Sequence, residues 1–260
     1  MNWGPLKLLK HRELIYNLAL RQIKIRYKQS LLGITWAILQ PLLTMIVFTL
    51  VFSEIAKIPT GDVPYPIFSY SALVPWTFFA TSLAQSGESI VSNVGLIRKL
   101  YFPREIFPLS YTMVALVDFG FAFTFLLILM AFYKVPFTIY LLLVPLILLV
   151  LMILSMGISL LASAINTYYR DVRYALPFLI QLLLFLSPIA YPVELVPERF
   201  RMIYMLNPLT GIIEAFRNVV VNGALPSLES LGSGAIVSLI LLIIGYTFFK
   251  RVEMKFADII

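Results

Sequence analysis

Cysteine is absent from the 260 residues, histidine occurs once, at His11, and charged residues make up only 13% of the chain. The first absence rules out a disulfide framework, a thiol nucleophile and a Cys-based metal site. A single histidine leaves too few ligands for a His-built metal centre. The scarcity of charge goes with 60% hydrophobic residues and a mean hydropathy of +0.92. A soluble domain carries about 25% charged and about 45–50% apolar residues, so this composition is that of a polytopic membrane protein. Signature loops are missing too. No G-x-x-x-x-G-K-[ST] run can cradle ATP phosphates, and neither H-E-x-x-H nor G-x-S-x-G occurs. There is no voltage-sensor run of charges and no T-V-G-Y-G filter. If transport is active, its energy has to come from another polypeptide.

What is present are long apolar runs. Six are expected to span, at about 34–54, 67–86, 109–132, 137–165, 174–191 and 233–250, since a crossing takes about 17–25 helical residues. The run from Leu209 to Val221 is shorter and reads as a re-entrant or interfacial segment. Irregular backbone at that depth survives only where protein or a water-filled cavity covers it. The chain therefore divides into a basic N-terminal segment (1–33), a transmembrane domain (34–253) containing an outer re-entrant segment (193–230), and a tail (254–260). No cleavable signal peptide is evident, because positive charge continues past the point where an apolar core should start, so the first span is expected to direct insertion.

Charge sets the orientation. With a cytoplasmic N-terminus, fifteen of the twenty Lys and Arg fall inside, and only Lys57, Lys134, Arg199, Arg201 and Arg217 outside. That asymmetry places both termini in the cytoplasm. Treating 209–221 as a full crossing would export the basic C-terminus. At helical spacing Asn17, Arg21, Lys24 and Lys28 share one face of the N-terminal segment, with Leu14, Ile15, Leu18 and Ile25 around the other. This is either an amphipathic helix lying in the headgroup layer or a plain positive-inside flank.

Four further features invite a functional reading, each beside a plainer one. Ile90, Val94 and Ile97 form a short apolar stripe in the connection 87–108, with Arg98 and Lys99 elsewhere on it, so this helix either docks on a soluble partner or merely joins two spans. Asp118 is an intramembrane carboxylate, a functional candidate by default, or else a packing residue. Trp76, Phe78, Phe79, Phe119, Phe121, Phe123 and Phe125 are aromatic faces that stack on sugars in a glycan conduit, or else face lipid and other helices. Glu214 and Arg217 stand at i and i+3, as a pair that fixes the re-entrant helix or as an exposed surface pair.

Motifs spread along nearly the whole chain carry a resemblance. They are Arg26-Tyr27-Lys28-Gln29-Ser30 with Leu32-Gly33-Ile34-Thr35-Trp36 and Pro41, Val74-Pro75-Trp76-Thr77-Phe78-Phe79, and Leu96-Ile97-Arg98-Lys99 with Phe102-Pro103-Arg104. Arg170-Asp171, Ser187-Pro188-Ile189, and Asn207-Pro208 followed by Glu214 and Arg217 complete the set. The sequence resembles the permease subunit of an ABC-2-type polysaccharide exporter, the family that moves lipid-linked O-antigen, teichoic acid or capsule across the plasma membrane. The resemblance implies an all-α homodimer in the bacterial inner membrane with two P-loop ATPase subunits bound below. ATP and Mg2+ would sit on those partners and no cofactor on this chain. The cargo would be a polyprenyl-linked glycan rather than nucleic acid.

It further implies a short cytoplasmic coupling helix at 87–101 and an elbow at Arg170 and Asp171 that touch the ATPase. The residues expected there are Glu88, Ile90, Val94, Ile97, Arg98, Lys99, Arg170 and Asp171. A conduit between protomers would be lined by Trp76, Phe78, Phe119, Phe123, Phe185 and Tyr191. An outer gate would comprise Ser187, Pro188, Asn207, Pro208, Glu214 and Arg217. Two other classes stay open. A permease for drugs or small lipids would share the fold. A membrane enzyme on polyprenyl sugars would need clustered acids or histidine, whereas Glu194, Glu198, Glu214 and Glu229 are scattered.

Overall fold

The computed structural model describes residues 11–28, 30–61, 63–99 and 102–256. Lys7 and Lys10 of the basic N-terminus, Gln29 of the first motif, the end of the 87–101 connection and residues 257–260 of the tail lie outside them. Among the described residues the chain is helical and contains no strand. The helices are α1 (Arg12–Lys28), α2 (Trp36–Phe48), α3 (Tyr65–Gly87), α4 (Val94–Lys99) and α5 (Ile106–Phe132). They continue with α6 (Val144–Tyr168), α7 (Val172–Phe185), α8 (Glu198–Met205), α9 (Pro208–Val220) and α10 (Leu228–Val252).

Five helical stretches are long and apolar enough to cross a membrane: Gly33–Ile55, Tyr65–Gly87, Ile106–Phe132, Ile139–Tyr168 and Leu228–Lys255. They differ in what covers them. The most apolar window of α3 is 78% buried inside the protein, against 17% for the first stretch and 22% for the last. Thus α3 is the central post, packed on α2, α5, α6 and α9. That position puts Trp76, Phe78, Phe79 and, from α5, Phe119 into the protein's interior.

The run expected to cross at 174–191 is built differently. Its helix, α7, has 14 residues and ends at Phe185. At about 1.5 Å per residue it is about 21 Å long, short of the roughly 30 Å hydrocarbon core. Pro188 accounts for the stop, because it lacks an N–H and disfavours helical geometry at Ser187 before it. Residues 187–190 continue as buried non-helical backbone.

Two glycines let α6 and α10 meet at backbone distance. A Cβ at Gly157 would lie 2.6 Å from Leu242 N, and one at Gly245 would run into the Gly157 carbonyl. At the end of the bundle where α3 and α6 finish, a second apolar cluster joins Leu18 of α1, Ile90 and Ile97, Ile106 and Phe107 of α5, Leu160 of α6, and Phe249 and Phe256. Helix α1 packs on α5, with Asn17, Arg21, Lys24 and Lys28 exposed and Leu18 buried; Ile25, expected on the apolar face, is exposed.

Candidate functional site

Two sites stand at opposite ends of α3. Phe68 and Glu88 are separated by 20 positions, which at about 1.5 Å per residue is about 30 Å, the thickness of the hydrocarbon core.

At the Glu88 end, the 87–99 connection and the 166–174 elbow come together around a groove of about 610 Å3. Glu88, Val91, Ser92, Val94, Asn166, Arg170, Arg173 and Tyr174 line it. Asn166 donates to the Gly87 carbonyl at 3.0 Å, which ties the end of α6 to the last turn of α3. Across the mouth Arg173 faces Glu88 at 3.2 Å, with both side chains about half exposed or more. Of the residues expected on a coupling surface, Glu88, Val94 and Arg170 line the groove. Arg98, Lys99 and Asp171 are exposed but do not line it. Ile90 and Ile97 are a correction: they are 0% and 5% exposed, packed into the protein's own second cluster rather than offered to a partner. Their apolar stripe is real, but the ends of α1, α5, α6 and α10 cover it.

That platform carries a polar joint that sequence spacing did not reveal. Lys250 Nζ sits 2.7 Å from a Glu105 oxygen and 3.1 Å from Glu253, and Glu105 is 1% exposed. Further along α5, Arg26 Nη1 reaches Asp118 Oδ2 at 2.5 Å, and the Tyr27 hydroxyl donates to the other carboxylate oxygen. Burial, reinforced by the Asp118 hydrogen bond, pushes the Tyr27 phenol upward in pKa. Asp118 is therefore a knot between α1 and α5, with its charge matched by Arg26.

At the Phe68 end, polar side chains clamp the broken tip of α7. Arg217 Nη2 donates to the Pro188 carbonyl at 2.6 Å, and the Tyr65 hydroxyl to the Ala190 carbonyl at 2.7 Å. Asn207 Nδ2 contacts the Leu186 carbonyl at 3.0 Å and Ser187 Oγ at 3.1 Å. Its Oδ1 meanwhile caps α9 by accepting from Leu209 N, with Pro208 at the first helical position. Non-helical backbone at this depth is satisfied by side chains, as a low-dielectric setting demands. Arg217 also pairs with Glu214 at 2.5 Å and lies 3.8 Å above the Phe68 ring. Burial pushes the Glu214 carboxyl up and the Arg217 guanidinium down, each opposed by the other's charge. The pair is not the exposed kind.

The expected gate residues Ser187, Pro188, Asn207, Glu214 and Arg217 thus meet at one joint, with Pro208 starting α9. Tyr65 and Phe68 belong to it as well, without a local signal that marks them. The expected conduit aromatics divide. Trp76, Phe78 and Phe119 are at most 5% exposed, so their rings have no surface to present. Phe123 is half-buried and stacks on Phe119, Tyr191 donates to the Phe185 carbonyl, and Phe185 is exposed.

Comparison with known proteins decides the family. The sequence profile of the ABC-2 type transporter family matches residues 13–221. The chain belongs to the ABC-2 type transporter family. That match takes in the groove, the α7 clamp and the platform except for its α10 side. Among relatives of this ABC-2 chain, an O-antigen export system permease protein RfbA of Klebsiella pneumoniae is 30% identical over 241 residues, 92% of each chain. The protein of the same name from Myxococcus xanthus is 29% identical over 256 residues, 97% of each chain. The polysialic acid transport protein KpsM of Escherichia coli is 27% identical over 240 residues, 91% of this chain and 92% of KpsM. The ABC-2 chain described here is a multi-pass membrane protein of transport type.

Proposed function

We propose that this chain is the membrane permease of an ATP-driven exporter that carries a lipid-linked polysaccharide, O-antigen foremost, out of the bacterial cytoplasm across the inner membrane. The observation that carries the reading is end-to-end similarity to permeases named for polysaccharide export, over 92% and 97% of the chain. Two copies would frame the pathway. Two P-loop ATPase subunits, holding ATP and Mg2+, would sit at the groove end, with both termini on that side.

Physical chemistry supports the division of labour. Each glycan hydroxyl that enters hydrocarbon without a partner costs several kcal/mol, so a protein passage and an energy input are both required. The groove offers Glu88, Arg170 and Arg173 to a partner, and Arg98, Lys99 and Asp171 on the same two connections are exposed. Below it, buried Ile90 and Ile97 lock the 87–99 connection to α1, α5, α6 and α10. A push by closing ATPase subunits on the exposed face is thereby passed to several helices at once. Leu176 of α7, buried against Gly87 at the end of α3, carries the same motion to α7. Because α7 ends at the clamp on Pro188, displacement of its groove end reaches the outer joint.

The test is recovery of the tagged chain from mild detergent together with an ATPase assay on the eluate. Co-purification of a P-loop ATPase, with hydrolysis lost in R98E or D171A, is the expected result. Cells in which this gene is deleted should also lose their surface polysaccharide. Undiminished surface polysaccharide in the deletion strain overturns the reading.

A further inference from the structure

The clamp end contains a pocket whose polar groups exceed what the joint at Pro188 uses. Its volume is about 360 Å3, and Thr60, Glu194, Glu214, Arg217, Asn218 and Asn222 line it beside the Phe68 ring. Arg217 is 4% exposed, yet among the described residues its Nε has no hydrogen-bond partner. That Nε is itself closed to solvent, so the polar groups left for an oxygen ligand are those of Glu194, Asn218 and Asn222.

The lining decides the ligand's class. Glu194 and Glu214 against Arg217 leave one net negative charge, which disfavours a phosphate or a carboxylate. The two carboxylates accept hydrogen bonds, and each Asn amide offers both donors and an acceptor. One Asn222 donor is engaged on Asn218 Oδ1 at 2.7 Å, which aligns the two amides as a pair. Glu214 accepts from Arg217 through one oxygen, Oε1. A row of acceptors and amides is what neighbouring hydroxyls of a sugar ring satisfy, each hydroxyl giving one hydrogen and accepting another.

We propose that this pocket is a saccharide site at the outer mouth, which takes a neutral sugar unit of the exported chain through its hydroxyls. The proposal rests on the polysaccharide-export reading and on the orientation given there. Glu194, Asn218 and Asn222 make the direct contacts, and Arg217 holds Glu214 in place beside them. A weak site of this kind catches the emerging glycan and hinders its return while the joint at Pro188 resets.

Because the chain has no cysteine, a single thiol reports on the pocket cleanly. Leu195 lines it, is 46% exposed and offers no polar group, so L195C is the reporter. The full exporter carrying L195C, in spheroplasts that expose the outer membrane face, is treated with a membrane-impermeant maleimide. The probe is short oligosaccharide cut from the cells' own surface polysaccharide. At about ten times its Kd the probe should slow labelling about tenfold by mass action. Leu225, 65% exposed and outside the pocket, serves as the control through L225C, whose labelling should not change. Adding N218A to L195C should abolish protection, read as the ratio of the rates with and without probe in that same variant.

Unchanged L195C labelling at saturating probe overturns the proposal, and so does protection by calcium chloride in place of saccharide. Absence of outside labelling overturns it too, because the pocket then does not open at the outer face. These failures are distinct from failure of the export reading, which shows as surface polysaccharide persisting when the chain is deleted.

Discussion

At the groove, Glu88 and Arg173 face one another at 3.2 Å with side chains 48% and 66% exposed; at the clamp, Glu214 and Arg217 meet at 2.5 Å and are 23% and 5% exposed. The two pairs have the same chemistry and opposite energetics. Water screens the first, so it holds little and lets its two elements part. The second is largely removed from water, and Arg217 would be an uncompensated buried charge without Glu214. The contact across the groove is thereby left free to shift, while the clamp is held as a joint.

The largest expected effect comes from breaking the joint. R217M leaves Glu214 buried without its cation and the Pro188 carbonyl without its donor, at about 3–5 kcal/mol. Thermal unfolding in detergent should show a large fall in midpoint, and an unchanged midpoint would remove the buried-pair argument. Next is the glycine crossing, which asks whether the bundle between the two ends is rigid. G157V places methyl groups against the Leu242 backbone and should lose about 1–3 kcal/mol by overpacking, read on the same melting curve.

D118N tests the knot that joins α1 to the bundle. It strips Arg26 of its counter-charge, for about 1–3 kcal/mol, and hydrogen exchange should rise along Arg12–Lys28 more than along α3. Equal exchange in both would mean that α1 does not depend on Asp118. The smallest stability effect belongs to the groove. E88A should change stability by about 0–1 kcal/mol, whereas R98E should leave melting unchanged and still stop polysaccharide export. A groove variant that unfolds the protein would erase the contrast between the two ends.

Much of this architecture is legible in the residues. The long apolar runs mark the crossings, and the one that departs from a plain span carries its reason in Ser187-Pro188. Asn207-Pro208 announces the start of α9, and the i, i+3 spacing of Glu214 and Arg217 indicates their contact. The elbow after Asn166 shows itself as charge following an apolar run. The coverings do not show. The spacing of Ile90 and Ile97 forms an apolar stripe whether a partner or the chain's own helices lie over it. Trp76, Phe78 and Phe119 satisfy the description of conduit aromatics equally well while packed inside.

Composition and order therefore settle that the chain is a membrane-spanning helical protein and where most of its long helices run, while the family rests on the profile match. Only the packed structure decides which apolar faces are interior. It also joins Arg26 to Asp118, 92 positions apart, Lys250 to Glu105, 145 apart, and Arg217 to the Pro188 carbonyl, 29 apart. The reason lies in the solvent. In water an apolar residue points inward, but lipid is as apolar as a protein core, so hydrophobicity alone cannot tell the two apart. What discriminates is the pairing of the few polar groups, and those partners are brought together by the fold from distant parts of the chain.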